Sequence, residues 1–366
     1  MASTVRLEGI KEAHTNHTAH FNLHTSVTAE LKSLVDQSVS EATVEFKSES
    51  ASCPGTFTYE ISYTPTIRGR HELSVKVNDV PVSGSPFRVF VHQPPTQLGE
   101  PFRILDGLNW AKGVTIGPQE RVYIARDLSY TVSVFDKRPV WVQSIGEIEK
   151  CPFGINGPES IATDDDGNLY VITQVGHLLK INEGGKVVSS LVERGKEPGQ
   201  FNFPSGVKVH NGNVFVCDTR NHRVQVFDTE LNFVKLFGPV IDTSGKEFGR
   251  PRDLSFDTEG KIYICEYNCV NIVDENGQYL DCFGKKNGDV KLKDARGIQV
   301  FGDYVYISEY DNNCISVFKT SDGKFITSFG KFGSGRGELR DPCAIAIDTD
   351  GFVYVCDYRN GRVQVF

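Results

Sequence analysis

Methionine is almost missing from this chain of 366 residues, which has one Met and two Trp. No stretch is apolar for long enough to cross a bilayer, and the first thirty residues carry charges and histidines where a signal peptide would be apolar. A cytoplasmic protein without membrane contact is the expectation. Cysteine is not rare, but its nine copies are odd in number and scattered. Cys265 and Cys269 are the closest pair, and no neighbouring His or Cys completes a zinc spacing. No heptad run indicates a coiled coil. Gly333-Ser334-Gly335-Arg336-Gly337 is not followed by Gly-Lys-Ser/Thr, and no Gly-x-Ser-x-Gly elbow occurs. Asp164-Asp165-Asp166-Gly167 lacks the spacing and the closing Glu of a calcium loop, so a charged hairpin turn is expected. The chain carries a formal charge of −8, which argues against a generally basic nucleic-acid binder while allowing a local basic face, and no DNA partner is expected. No cofactor and no metal are expected.

What the chain does have is a repeat. NVFVCDTRNHRVQVFD, Asn213–Asp228, returns as FVYVCDYRNGRVQVF at Phe352–Phe366, with weaker copies between and before. Each copy reads as an apolar strand, a short polar turn and a second strand. Aromatic anchors at Tyr123, Tyr170, Phe215, Tyr263, Tyr306 and Tyr354 recur every 43 to 48 residues. A period of that size built only of strands and turns predicts a propeller, one four-stranded sheet per repeat and six blades in all. The last blade ends after its third strand, and PFRILDG, Pro101–Gly107, is an orphan strand placed to close the ring. Cys217, Cys265 and Cys356 share one strand position, where Cys serves as a small buried hydrophobe.

Before the propeller, residues 4–92 alternate with period two between Gly, Pro and Asn-Asp turns. A β-sandwich of immunoglobulin size is expected, without the Cys–Trp–Cys pattern of antibody domains. Residues 93–100, QPPTQLGE, read as a short, stiff linker, and residues 101–366 form the propeller.

Two resemblances then become specific. Gly55-Thr56, Tyr63 and Pro65, Gly69 and His71, and Gly84-Ser85-Pro86-Phe87 resemble the second half of a filamin-type immunoglobulin repeat. GQFNFPSGVKVHNGNVFVCDTRNHRVQVFDTELNFVKLFG, Gly199–Gly238, resembles the NHL repeat throughout. The pair in this order is similar to the C-terminal half of TRIM-NHL proteins. In that family a RING, B-boxes and a coiled coil come first, and the RING carries ubiquitin-ligase activity. None is found here, so the resemblance implies a fragment or a RING-less member: a non-catalytic, monomeric recognition module. Such a module would select targets for ubiquitin-dependent regulation.

The expected site is the face holding the turns between second and third strands and the connections between blades. Its candidate residues are Lys112, Arg126, Tyr130, Arg220, Arg250, Arg252, Tyr267, Lys293, Arg296, Tyr310, Arg340, Tyr358 and Arg359. Bases beside exposed aromatics suit single-stranded nucleic acid, through phosphates and stacked bases. The resemblance points the same way, since several propellers of the family bind RNA there. Lys112, Arg252 and Arg296 occupy the Pro-x-Gly slot, but the other blades hold Glu159, Ser205 and Cys343, so a complete basic ring is not expected. The negative net charge and that broken ring favour a protein client. RNA binding for repression of messenger RNA is the alternative. A metal-dependent lyase, known among related propellers, would need converging histidines, and His177, His210 and His222 stand at different repeat positions. Asp218, Arg223, Asp357 and Arg362 belong to the repeat motif and are expected to be structural. The filamin-type domain could also accept a partner strand along an open edge.

Overall fold

The computed structural model describes residues 3–5, 27–33, 39–49, 57–63, 69–77, 80–81, 87–91, 95–127, 131–136, 140–145, 157–238, 249–284 and 290–366. The chain divides into two compact units, Met1–Gln93 and Pro94–Phe366. In the first, seven strands among the described residues pair in the order Ser3–Val5, Phe57–Tyr63, Val39–Glu49, Val27–Ser33, Gly69–Val77 and Val80–Pro81, with Phe87–Val91 also on Gly69–Val77. The long strand Val39–Glu49 changes partner midway: Val39 to Ala42 pair with Val27–Ser33, and Thr43 to Glu49 pair with Phe57–Tyr63. A strand that changes partner in this way can pass from one layer of a β-structure to another. Of the motif that marks this domain, Gly55, Thr56, Pro65, Gly84, Ser85 and Pro86 lie outside the described residues.

The second unit contains six four-stranded antiparallel sheets, each ordered from an inner to an outer strand. The inner strands are Ala111–Ile116, Pro158–Thr163, Val207–His210, Asp253–Phe256, Ala295–Phe301 and Pro342–Ile347. Each touches the next, and the last returns to the first, so the ring is closed. The apolar second strands explain the packing. Along Val122–Arg126, Val122 and Ile124 point into the core shared with blade six, while Tyr123 and Ala125 point into the core shared with blade two. Alternating side chains thus serve two neighbours at once, which requires both faces of the strand to be apolar. Six such cores lie between successive blades among the described residues. Cys217, Cys265 and Cys356 are fully buried in them, as expected. Burial pushes their thiols well above the usual range.

Blade six takes its outer strand from the start of the unit. Val363, Gln364 and Val365 pair with Leu105, Ile104 and Arg103. Leu105 is buried in the core between blades six and one. Arg336 adds a guanidinium hydrogen bond to the Pro101 carbonyl.

On the face opposite the inter-blade connections, aspartates close the hairpins. Asp164, Asp228, Asp257, Asp274 and Asp348 each accept a backbone N–H four residues ahead. This is the local mimicry of a turn at which Asp excels. Asp164 also takes hydrogen bonds from Asn168 Nδ2 and the Tyr170 hydroxyl, as befits a hairpin turn. The Tyr263 and Tyr354 anchors donate to Asp257 and Asp348 in the same way.

Two tests follow from these interactions. Removing Pro101–Leu105 strips blade six of its outer strand and should lower the melting temperature sharply; an unchanged midpoint would contradict this closure. The second concerns Asp348, whose pKa is pushed up to about 6, chiefly by burial, with Asp350 adding to it. A folded-state pKa above the unfolded value means that the native state holds the proton more tightly. The contribution is therefore fully present below about pH 4 and lost as pH rises through about 6. Asp348→Asn keeps an acceptor for both backbone N–H groups and never ionises. Its stability relative to wild type should rise between pH 4 and pH 7 in paired urea titrations.

Candidate ligand-binding face of the propeller

The opposite face is built on a repeated anchor. At the end of the second strand of blades three to six stands an acid: Asp218, Glu266, Glu309 or Asp357. Each accepts the backbone N–H of a residue in the arriving connection, respectively Asn202, Gly249, Lys293 and Arg340. In blades three and six the anchor becomes a hub. The Asp218 carboxylate also receives Arg223 Nε at 2.8 Å, Asn221 Nδ2 and Gln225 Nε2. Arg223 spends its remaining donors on the carbonyls of Lys196, Glu197 and Gln200. Asp357, Arg362, Asn360 and Gln364 repeat the arrangement. Both pairs are buried, so these four residues hold loops and present nothing to a ligand.

The six residues of the Pro-x-Gly slot converge on the propeller axis. Lys112, Glu159, Ser205, Arg252, Arg296 and Cys343 line one depression of about 60 Å³. The three bases are answered from within. Lys112 Nζ lies 2.6 Å from Glu159 Oε2 and 3.9 Å from Asp127. Asp294 holds Arg252 at 3.1 Å and Arg296 at 2.8 Å. The Arg296 guanidinium also lies 3.6 Å from the Tyr310 ring centre. Ser205 Oγ donates to the Arg252 carbonyl. Burial pushes the Cys343 thiol up to about 12, against the pull of Arg296 and Lys112.

The other candidates surround this mouth. Tyr358 donates to Asp127, and Arg359 pairs with Asp341 at 3.0 Å. Arg340 lies 5.8 Å from the Phe332 ring centre and Arg220 3.8 Å from that of Phe203. Arg126 is half-buried at the end of its strand. Backbone hydrogen bonds hold Arg250, Tyr267 and Lys293 on the neighbouring blades four and five: Gly249 is tied to Glu266, Lys293 to Glu309, and Ala295 N to the Tyr267 carbonyl. Tyr267 is 53% exposed, and Arg250 and Lys293 are exposed without an ion pair among the described residues. Tyr130 lies outside the described residues.

Sequence reading missed three aromatic rings on this face. Trp110 packs edge-on to Tyr358. Phe203 and Phe332 are 44% and 68% exposed, each with a guanidinium over the ring. Trp110 and Phe203 stand two residues before Lys112 and Ser205, at a position where their backbone is left-handed (φ 62° and 51°) and which blades two, five and six fill with Gly157, Asp294 and Asp341. A bulky residue where Gly or Asp is at home was the available signal. The histidines do not converge: His210 stacks on Phe256 along an inner strand, and His222 meets the Gly249 carbonyl on the connection face.

Residues 1–88 match the Filamin/ABP280 repeat, residues 201–227 and 339–366 match the NHL repeat, and residues 147–181 match the N-terminal region of strictosidine synthase-like proteins. The chain therefore joins a filamin repeat to an NHL-repeat propeller. It is similar to the protein brain tumor of Drosophila melanogaster, 26% identical over 151 residues, which cover 37% of this chain and 14% of that protein. Human NHL repeat-containing protein 3 is 30% identical over 119 residues, 31% of this chain and 33% of that protein. Lactonase drp35 of Staphylococcus haemolyticus is 25% identical over 223 residues, 57% of this chain and 65% of that protein. The chain thus spans from a seventh to under two thirds of these relatives. A protein of unknown function from Bacteroides thetaiotaomicron shares the fold, with a TM-score of 0.57 and 13% identity over 93% of this chain and 90% of its own.

The hubs make a sharp prediction. Asp357→Ala leaves Arg362 buried without its counter-charge and should destabilise the propeller by about 3–5 kcal/mol. Arg359→Ala breaks an exposed pair and should leave stability nearly unchanged. Urea denaturation of the two variants would separate these effects.

Proposed function

We propose that this chain is a non-catalytic recognition module of the TRIM-NHL type, which grips a protein client on the connection face of its propeller. The observation that carries this reading is electrostatic. Lys112, Arg252 and Arg296, the bases best placed to form a cationic mouth, are matched by Glu159, Asp294 and Asp127. Exposed aromatic rings remain around that neutralised centre, and rings with polar neighbours are what protein interfaces favour. The setting proposed is the cytoplasm, with the client passed to a ubiquitin-ligase assembly.

Single-stranded RNA is the second reading, and a separate sector favours it. Arg250 and Lys293, two exposed bases without an ion pair among the described residues, stand with the exposed ring of Tyr267. An enzyme at the axis has less support, because the three propeller histidines are dispersed and His210 is occupied with Phe256.

A photo-crosslinking residue at position 267 or 340 would sample the face, with positions 188 and 259 as controls on the outer strand and the hairpin side. Nuclease-resistant protein adducts from the first pair alone support client docking. Nuclease-sensitive adducts that weaken steeply with salt and vanish in Arg250→Ala/Lys293→Ala support RNA, since released counterions make such binding salt-dependent. Equal labelling at all four positions would refute the assignment of the face.

A further inference from the structure

Blades three and six carry the same loop in two versions. Asp218-Thr219-Arg220-Asn221-His222-Arg223 and Asp357-Tyr358-Arg359-Asn360-Gly361-Arg362 build equivalent hubs, with Asn221 and Asn360 each donating to a carbonyl of the arriving connection. In blade six the loop arginine, Arg359, gives its charge to Asp341, which sits in left-handed backbone at φ 55°. In blade three the same position is Phe203, at φ 51°. Arg220 therefore has no carboxylate to meet and lies over the Phe203 ring at 3.8 Å, with Arg194 at 5.0 Å from the same ring. Neither arginine enters an ion pair among the described residues, and all three side chains are exposed.

This departure gives up an ion pair, puts a bulky side chain where Asp is better tolerated, and exposes an apolar ring to water. Local rules broken together on a surface mark a site whose use lies outside the fold. We propose that Arg194, Phe203 and Arg220 form a docking site for an acidic side chain of an extended partner peptide, flanked there by an apolar residue. The inference rests on the reading of this face as a protein-docking surface.

The chemistry is specific. A guanidinium laid on an aromatic ring keeps its N–H edge free and is already ordered, so it can take a carboxylate in two parallel hydrogen bonds. The exposed remainder of the Phe203 ring offers a packing surface to an apolar neighbour of that carboxylate. A polyphosphate strand fits less well. Glu193 and Glu197 are exposed in the connection that carries Arg194, and the chain as a whole bears −8. A single carboxylate needs only the two arginines, whereas a continuous anion would also run against those acids.

Phe203→Asp is the informative variant because it restores the blade-six pairing and suits the backbone, so it should fold with an equal or higher melting temperature. Fluorescence anisotropy with a fluorescein-labelled peptide containing Ser-Gly-Glu-Phe-Ser, beside its Ser-Gly-Gln-Phe-Ser counterpart, reads the binding. The acidic peptide should bind wild type at least tenfold more tightly, and that preference should vanish in Phe203→Asp and in Arg220→Gln. Equal binding of the two peptides, or an acidic preference that survives both substitutions, would overturn the site while leaving protein docking on the face intact. If displayed random peptides also fail to bind the face, the docking reading falls with it. Displacement of the acidic peptide by single-stranded RNA that no longer binds Phe203→Asp would overturn both in favour of nucleic acid.

Discussion

In blades three to six an acidic side chain at the end of the second strand accepts a backbone N–H from the connection arriving from the previous blade. That bond fixes where each connection crosses the rim, and the next residues then turn down into the inner strand. A loop on a protein surface is ordinarily its most variable part. Here the carboxylate pins it to a strand buried on both faces, and in two blades an arginine adds several carbonyl hydrogen bonds to the same knot. The candidate side chains are therefore carried by segments tied to the core, which keeps their spacing defined before any partner arrives. Preordered side chains lose less freedom on binding.

The same regularity explains why the axial mouth is neutral. Because all six slots repeat one geometry, a charge in one slot sits beside whatever the next blade supplies. Lys112 meets Glu159 from the adjacent repeat, and Asp294 lies between Arg252 and Arg296. Cationic and anionic side chains so placed satisfy one another before they can satisfy a ligand. The recognition chemistry shifts outward, to sectors where the repeat pattern fails.

Much of this was legible in the sequence, for a physical reason. Strands buried on both faces leave near-continuous apolar runs, and their recurrence at Tyr123, Tyr170, Phe215, Tyr263, Tyr306 and Tyr354 counts the blades. The missing fourth strand after Arg362–Val365 and the orphan at Arg103–Leu105 are likewise visible as pattern, and the two pair. The structural duty of Asp218, Arg223, Asp357 and Arg362 followed from their place in the repeat motif. Pairings between blades were less visible. The pairing of Lys112 with Glu159 spans one full period, so it appears only when equivalent slots are compared instead of neighbours in the chain. Trp110 and Phe203 went unnoticed because an aromatic residue in a loop has no period of its own. What sets them apart is a bulky ring on left-handed backbone that Gly157, Asp294 and Asp341 occupy in other blades, which shows only when equivalent loop positions are aligned.

The pairing of Arg103–Leu105 with Arg362–Val365 has a consequence in time. The two strands are separated by roughly 260 residues. During synthesis at about 5–20 residues per second, the first strand leaves the ribosome on the order of ten seconds to a minute before its partner exists. Through that interval its hydrogen-bonding edge has no strand of blade six to pair with, while blades one to five can already pack on one another in sequence. The last event of folding is then a long-range closure, entropically dear compared with every hairpin before it. A nascent chain stalled before residue 362 would display an incomplete ring with one open edge, the kind of unpaired strand edge through which partly made β-proteins aggregate.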